Sequence, residues 1–251
     1  MNHLPLGQTG VALPALGLGC MGMSEFYGAT DDAQSLEVLR RAVLSHVGKP
    51  VEDVVAIVAT KRYRIGAHHL RRYVDAARRA LGDGLRWNTA RERLRMQVAE
   101  DVRRQREDAG GAPSDAETAK LARSAAVREF TDAVWPALSA PALLSRLYAE
   151  PELLARAAAN TLSDDERKLL YRAPARSVRS TEWTEADAVL LDELTGLLEG
   201  TATYVHAVID EAQDLSAMQC RAIARRCPLG SITVLGDLAQ ATTTWAPGDW
   251  T

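Results

Sequence analysis

Two short acidic runs near the C-terminal end of the sequence carry residue types suited to metal-assisted phosphate chemistry. The first is Asp210-Glu211-Ala212-Gln213-Asp214 and the second Gly236-Asp237-Leu238-Ala239-Gln240. A carboxylate such as Asp210 can hold magnesium, directly or through water, while the adjacent Glu211 can polarise an attacking water. Small residues around Gly236 let the second loop approach a ligand, and the Gln240 amide can donate to a terminal phosphate. The same acids also suit a plainer role, capping a helix that begins near Leu215, where negative charge meets the helix dipole.

The elements that must position these residues are short and apolar. "YVHAVID" and "SITVLGD" read as strands, separated by a helix from about Leu215 to Cys227, which is the β-α-β rhythm of a parallel sheet. Ligands of such sheets sit beyond the carboxyl ends of the strands, where both acidic runs fall. An apolar strand ending in Asp-Glu is the Walker B arrangement. Its recurrence with a second strand-end motif about 25 residues on favours a nucleotide site over simple capping.

The rest of the chain sets the frame. Its 251 residues, 47% hydrophobic and 25% charged, suit a globular chain of one or two domains. The first lysine or arginine is Arg40, and Pro5 and Pro14 interrupt the early apolar stretch, so no secretory signal is read there. No apolar run reaches the roughly 18 residues that cross a bilayer, and a cytoplasmic protein without a membrane partner is expected. Cys20, Cys220 and Cys227 match no zinc spacing and read as incidental thiols.

Residues 1–30, rich in Gly and Pro, suggest a small hairpin or loop, and "TDDAQSLEVLRRAV" a helix. "VVAIVATKRYRI" has the β-branched density of a strand, and two basic amphipathic helices follow it. Residues 61–106 hold 14 Lys/Arg against 5 Asp/Glu, although the whole chain carries a net −3. This block reads equally as a solvated face or as a surface for nucleic acid or an acidic protein. From Ala116 to Glu199 the chain reads as mainly helical, with caps at Ser114, Ser163 and Thr184.

"VIDEAQDLS" followed by "ITVLGDLAQATT" resembles motifs II and III of the UvrD/Rep-type superfamily 1 helicases. The surrounding sequence over residues 46–251, including "ATKRYRIGAHHLRRYV" and "DAVWPAL", is similar to the HelD-type branch, ATPases that act on bacterial RNA polymerase. The resemblance implies ATP and Mg²⁺ as cofactors, Asp210 as the metal carboxylate and Glu211 as the catalytic base. It also implies Gln213, Asp237 and Gln240 as nucleotide-binding residues, Gln213 in a coupling role and Gln240 sensing the γ-phosphate. Asp214 becomes a structural or coupling acid, with Trp245 in the motif III neighbourhood. RNA polymerase or nucleic acid becomes the expected partner of residues 61–106.

Two departures qualify what the resemblance implies. A phosphate loop needs G-x-x-x-x-G-K-[ST], and no such run occurs; Gly48-Lys49 is followed by Pro50. The family also continues into a second motor lobe after motif III. Upstream, residues 1–44 resemble the N-terminus of the aldo/keto reductases, whose segment equivalent to Gly19–Gly22 lies near NADPH. That family's catalytic residues have no counterpart here.

The expected fold is therefore α/β: a partial parallel-sheet P-loop NTPase (RecA-like) lobe with a large mainly helical insertion, preceded by a detached βα unit of a barrel reductase. The expected parts are residues 1–44 (leader), 45–50 (junction), 51–200 (helical and basic) and 201–251 (motifs II and III). The expected function is that of an incomplete superfamily 1 helicase-like ATPase, inactive alone. The alternatives are a reductase fragment and a non-catalytic binding module.

Overall fold

The computed structural model describes residues 3–5, 12–14 and 32–242. The fold is α/β and mainly helical. Among the described residues the strands form antiparallel β1–β2 and β3–β4 pairs and one parallel pair, β5–β6. No described helix is long and apolar enough to cross a membrane. The Gly19–Gly22 segment, Cys20 and Trp245 lie outside the described residues.

The chain divides into two compact units, one of residues 43–139 and 197–199, the other of residues 1–42, 140–196 and 200–251. The division at 139/140 cuts through the helical region that the sequence reads as one part, and its second half groups with the motif-bearing strands.

In the first unit, β3 (Val54–Val58) and β4 (Lys61–Ile65) pair antiparallel, with Val54 opposite Ile65 and Val58 opposite Lys61. The sequence predicts a single strand across this stretch, and the structure folds it in two at Ala59-Thr60. Ala59 takes φ +54, a left-handed turn without the Gly or Asn that normally marks one. Val54, Ala56 and Ile65 point inward, while Val55 and Ile57 face out.

Helix α2 (Ala67–Gly82) begins under a remote cap: Ala67 N donates to Asp53 Oδ1 at 2.7 Å. Leu70, Val74 and Ala77 form its buried stripe. Helix α3 (Trp87–Asp108) is followed by α4 (Asp115–Ala122) and α5 (Ala125–Val134), which pack on it. Trp87 and Trp135 stack with ring centroids 4.5 Å apart, both fully buried. Each indole N–H donates to backbone, Trp87 to Pro136 O at 2.8 Å and Trp135 to Trp87 O at 3.1 Å.

In the second unit, β1 (His3–Pro5) and β2 (Ala12–Pro14) pair antiparallel, with His3 opposite Pro14 and Pro5 opposite Ala12. Helix α1 (Asp32–Leu44) is not detached: Leu36, Val38, Leu39 and Ala42 are buried, and Arg41 donates to Ala159 O at 2.7 Å. An amphipathic helix carries its apolar stripe wherever it goes, and here that stripe is covered without a barrel.

Helices α6 (Ala140–Ala149), α7 (Pro151–Ala157), α8 (Asp164–Leu170) and α9 (Glu185–Leu198) follow. The predicted caps are present. Ser114 and Ser163 form capping boxes with Glu117 and Glu166, and Thr184 exchanges hydrogen bonds with Asp187. Helix α10 (Ala217–Arg226) lies between β5 (Ala207–Ile209) and β6 (Ile232–Val234) in sequence, close to the predicted span.

Candidate functional site

The register of β5 on β6 fixes the geometry of the two acidic runs. Ile209 lies opposite Val234, and the ladder continues as Leu235 N donates to Ile209 O at 2.8 Å and Ala212 N to Leu235 O at 3.0 Å. Because the strands are parallel, Asp210-Glu211 and Gly236-Asp237 leave the sheet at the same end, side by side.

Glu211 occupies the left-handed region, φ +54 and ψ +37. A glutamate there costs of order 1 kcal/mol or more, and such outliers cluster at functional sites. The turn lifts residue 211 off the strand path and starts a single 3-10 turn over Ala212–Asp214. Asp210 Oδ1 accepts from Glu211 N at 3.0 Å; both side chains are exposed. Asp210 therefore keeps its second carboxylate oxygen free of any protein donor among the described residues.

Gln213 sits beneath this turn and is only 1% exposed. Its Nε2 donates to Glu211 Oε2 at 2.6 Å, and its Oε1 accepts from Asp237 N at 3.0 Å. One buried amide thus joins the two acidic runs. The resemblance implies nucleotide contact and a coupling role for Gln213; here both ends of its amide are engaged within the protein.

Asp237 accepts from Ala239 N at 2.9 Å and from Gln240 Nε2 at 3.0 Å. The Gln240 amide and the Ala239 N–H hold its carboxyl below the usual aspartate value. Gln240 is exposed and swung onto Asp237. Asp214 Oδ1 accepts from Thr242 N at 2.8 Å and Thr242 Oγ1 at 3.1 Å, closing the second loop onto the first.

The capping role open to these acids from sequence is filled by other residues. Ser216 caps α10, accepting from Gln219 N at 3.3 Å, while Gln219 Oε1 accepts from Ser216 N at 2.7 Å. Neither the Asp210 nor the Glu211 side chain hydrogen-bonds the start of α10.

Helix α10 is clamped to α9. Arg221 pairs with Glu193 at 3.1 Å, Arg225 with Glu193 at 2.7 Å, and Arg226 with Asp192. Glu193 is buried. A β-carbon on Gly196 would collide with the Arg225 guanidinium, so that glycine admits the clamp. Sequence reading missed these pairs because partners some 30 residues apart leave no periodic signal.

Among the described residues the donor chemistry offers magnesium a hard oxygen at one point. Magnesium takes hard oxygen ligands, often one or two carboxylates with waters completing the octahedron, and Asp210 offers such an oxygen. Among the described residues no group of three or more His, Cys, Asp or Glu gathers as a metal cage. The Gly48-Lys49 fragment cannot serve as a phosphate cradle. Gly48 N donates to Val134 O at 2.8 Å, and a β-carbon at Gly48 would lie 2.8 Å from Ala133 O, so its lack of a side chain serves packing against α5.

No protein-family model matches the chain, and no curated protein matches it.

Proposed function

We propose that residues 201–242 are the metal-and-water side of a nucleotide-hydrolysing site of the UvrD/Rep superfamily 1 type, built on part of a RecA-like parallel lobe. The observation that carries this reading is the join between the two acidic runs: parallel strands bring them to one sheet end, and buried Gln213 ties Glu211 to the Asp237 loop. Asp210 is the metal carboxylate. Glu211, lifted by its left-handed turn, orients water. Asp237 holds Gln240 in reach of whatever lies against the loop. Magnesium, when bound, supplies positive charge against phosphate oxygens.

The chain alone does not turn ATP over on this reading, because phosphoryl transfer depends on positioning from several sides at once. No G-x-x-x-x-G-K-[ST] run is present in its 251 residues. By the HelD-type resemblance the setting is the cytoplasm and the partner RNA polymerase.

Two measurements test the proposal. Mn²⁺, used as a paramagnetic stand-in, should broaden the amide resonances of residues 210–214 and 236–238, and Asp210→Asn should abolish the effect. Broadening elsewhere, or unchanged in Asp210→Asn, overturns the metal assignment. Purified chain should hydrolyse ATP at the background rate; enzyme-like turnover that disappears in Glu211→Gln would overturn the claim of inactivity.

A further inference from the structure

The β3–β4 hairpin has two backbone edges, and the fold treats them differently. Across the two-residue turn at Ala59-Thr60, Val58 and Lys61 exchange both backbone hydrogen bonds, so Ala56 with Tyr63 and Val54 with Ile65 do the same. The backbone groups of the residues between them, Val55 and Ile57 on β3 and Arg62 and Arg64 on β4, therefore point away from the hairpin. On β4 that edge is occupied. Gln105 Nε2 donates to Arg64 O at 3.1 Å, and the strand carries Lys61, Arg62 and Arg64, the last paired with Asp53. On β3 the edge is open: the N–H and C=O groups of Val55 and Ile57 have no hydrogen-bond partner among the described residues.

Edge strands of natural proteins are normally blunted by a proline, a lysine or a bulge that stops further pairing. Strand β3 is Val-Val-Ala-Ile-Val in continuous register and has none of these. Its outward side chains are apolar as well, with Val55 44% and Ile57 63% exposed, and Val51, just before the strand, 77% exposed. An open cleft of about 380 Å³ lies between residues 49–55 and α5, lined by Val51, Val54, Val55, Ala126 and Phe130, which leaves room beside the strand.

We propose that β3 pairs antiparallel with β3 of a second copy of this chain, about a two-fold axis at Ala56, to make a closed dimer with one four-stranded sheet. In that register Val55 lies opposite the partner's Ile57 and Ile57 opposite the partner's Val55, and each pair exchanges two backbone hydrogen bonds. Centring the axis on Val55 would set Ile57 against the partner's Asp53, and centring it on Ile57 would set Val55 against the partner's turn. Across the joined sheet the exposed face reads Arg64, Val55, the partner's Ile57 and the partner's Arg62, so apolar side chains meet in the middle and cations stand outside. Exposed Glu52, ahead of one strand, comes level with the partner's Thr60, beside its exposed Lys61, which matches opposite charges at both ends. Assembly stops at two because both outer strands are then β4, whose edge is held by Gln105 and guarded by cations. The inference stands apart from the metal site of residues 201–242 and does not require it.

Sedimentation equilibrium of the full chain from about 5 to about 500 µM should show monomer passing into dimer and no further, the weak association expected of a join smaller than standard protein interfaces. Over the same range, hydrogen exchange at the Val55 and Ile57 amides should slow about tenfold or more, while Ala56 and Val58, already in the hairpin ladder, change less. Ile57→Lys plants the charge that protects natural edges and should weaken association about tenfold or more. Ile57→Thr, milder for folding, should weaken it in the same direction, and circular dichroism verifies the fold of each variant. A monomer at every concentration, a dimer indifferent to Ile57→Lys, or Val55 and Ile57 amides whose exchange ignores concentration overturns the proposal. Growth beyond the dimer overturns closure by β4.

Discussion

Gln213 reaches Glu211 Oε2 at 2.6 Å from inside the fold, where its own side chain is 1% exposed. A buried amide therefore holds an exposed carboxylate, and through its oxygen it also holds the Asp237 backbone at 3.0 Å.

Removing that amide should loosen the second loop. Gln213→Ala leaves the Asp237 N–H without its partner and should lower stability by about 1–2 kcal/mol. Hydrogen exchange at Asp237 should accelerate in step, while exchange along α3 stays unchanged. Gln213→Glu places a second carboxylate against Glu211 and should destabilise more at neutral pH than near pH 4, where the pair can share a proton. Unaltered exchange at Asp237 in both variants would refute the coupling.

Asp187 is a buried carboxylate with a full set of donors. Arg172 donates to it at 2.7 and 3.1 Å, Tyr148 at 2.8 Å, and Thr184 through both N and Oγ1 at 2.9 Å. Burial pushes its pKa up, but Arg172, the Thr184 N–H and the Tyr148 hydroxyl outweigh this and hold it below the ordinary 3.8. A depressed folded pKa means the unfolded chain binds the proton more readily. The stabilisation is complete above the unfolded value, near 4, and is lost as pH falls through the folded one. Asp187→Asn should cost about 2–3 kcal/mol at pH 7, and its stability should vary less below pH 4 than that of the parent, read by urea denaturation at each pH.

Ala59 carries an avoidable strain. Its φ of +54 is disfavoured for alanine but open to glycine. Ala59→Gly should stabilise the β3–β4 hairpin by about 0.5–1 kcal/mol, after the extra freedom glycine has in the unfolded chain is counted. A fall in the denaturation midpoint would mean that the Ala59 methyl packs in a way that offsets its backbone.

The Trp87–Trp135 stack pins the first unit. Trp135→Phe keeps an aromatic ring but leaves Trp87 O without the indole N–H, and should cost about 2 kcal/mol. Trp135→Ala should cost about 3–5 kcal/mol through the cavity it opens. Both should diminish the near-ultraviolet dichroism of the indole pair, with the larger loss in Trp135→Ala.

The sequence by itself determined what closes within a few residues. The caps at Ser114, Ser163 and Thr184 are readable because each side chain bonds to a group three positions on. The two strand-end acid runs are readable because alternation of apolar strand and helix orders the sheet in parallel before any contact is known. Tertiary structure decided the rest. Ala59 turns the chain within a β-branched run that has no turn residue, so the strand divides where only pairing across the hairpin rewards it. Arginines look alike along α3, and only the return of α4 brings Asp115 to Arg103 and Glu117 to Arg106. Gln213 meets Asp237 across 24 residues because β6 lies beside β5. A hydrogen bond within four residues is fixed by helix geometry alone, whereas one spanning 24 is fixed by where the chain returns, and that depends on the packing of all the elements between.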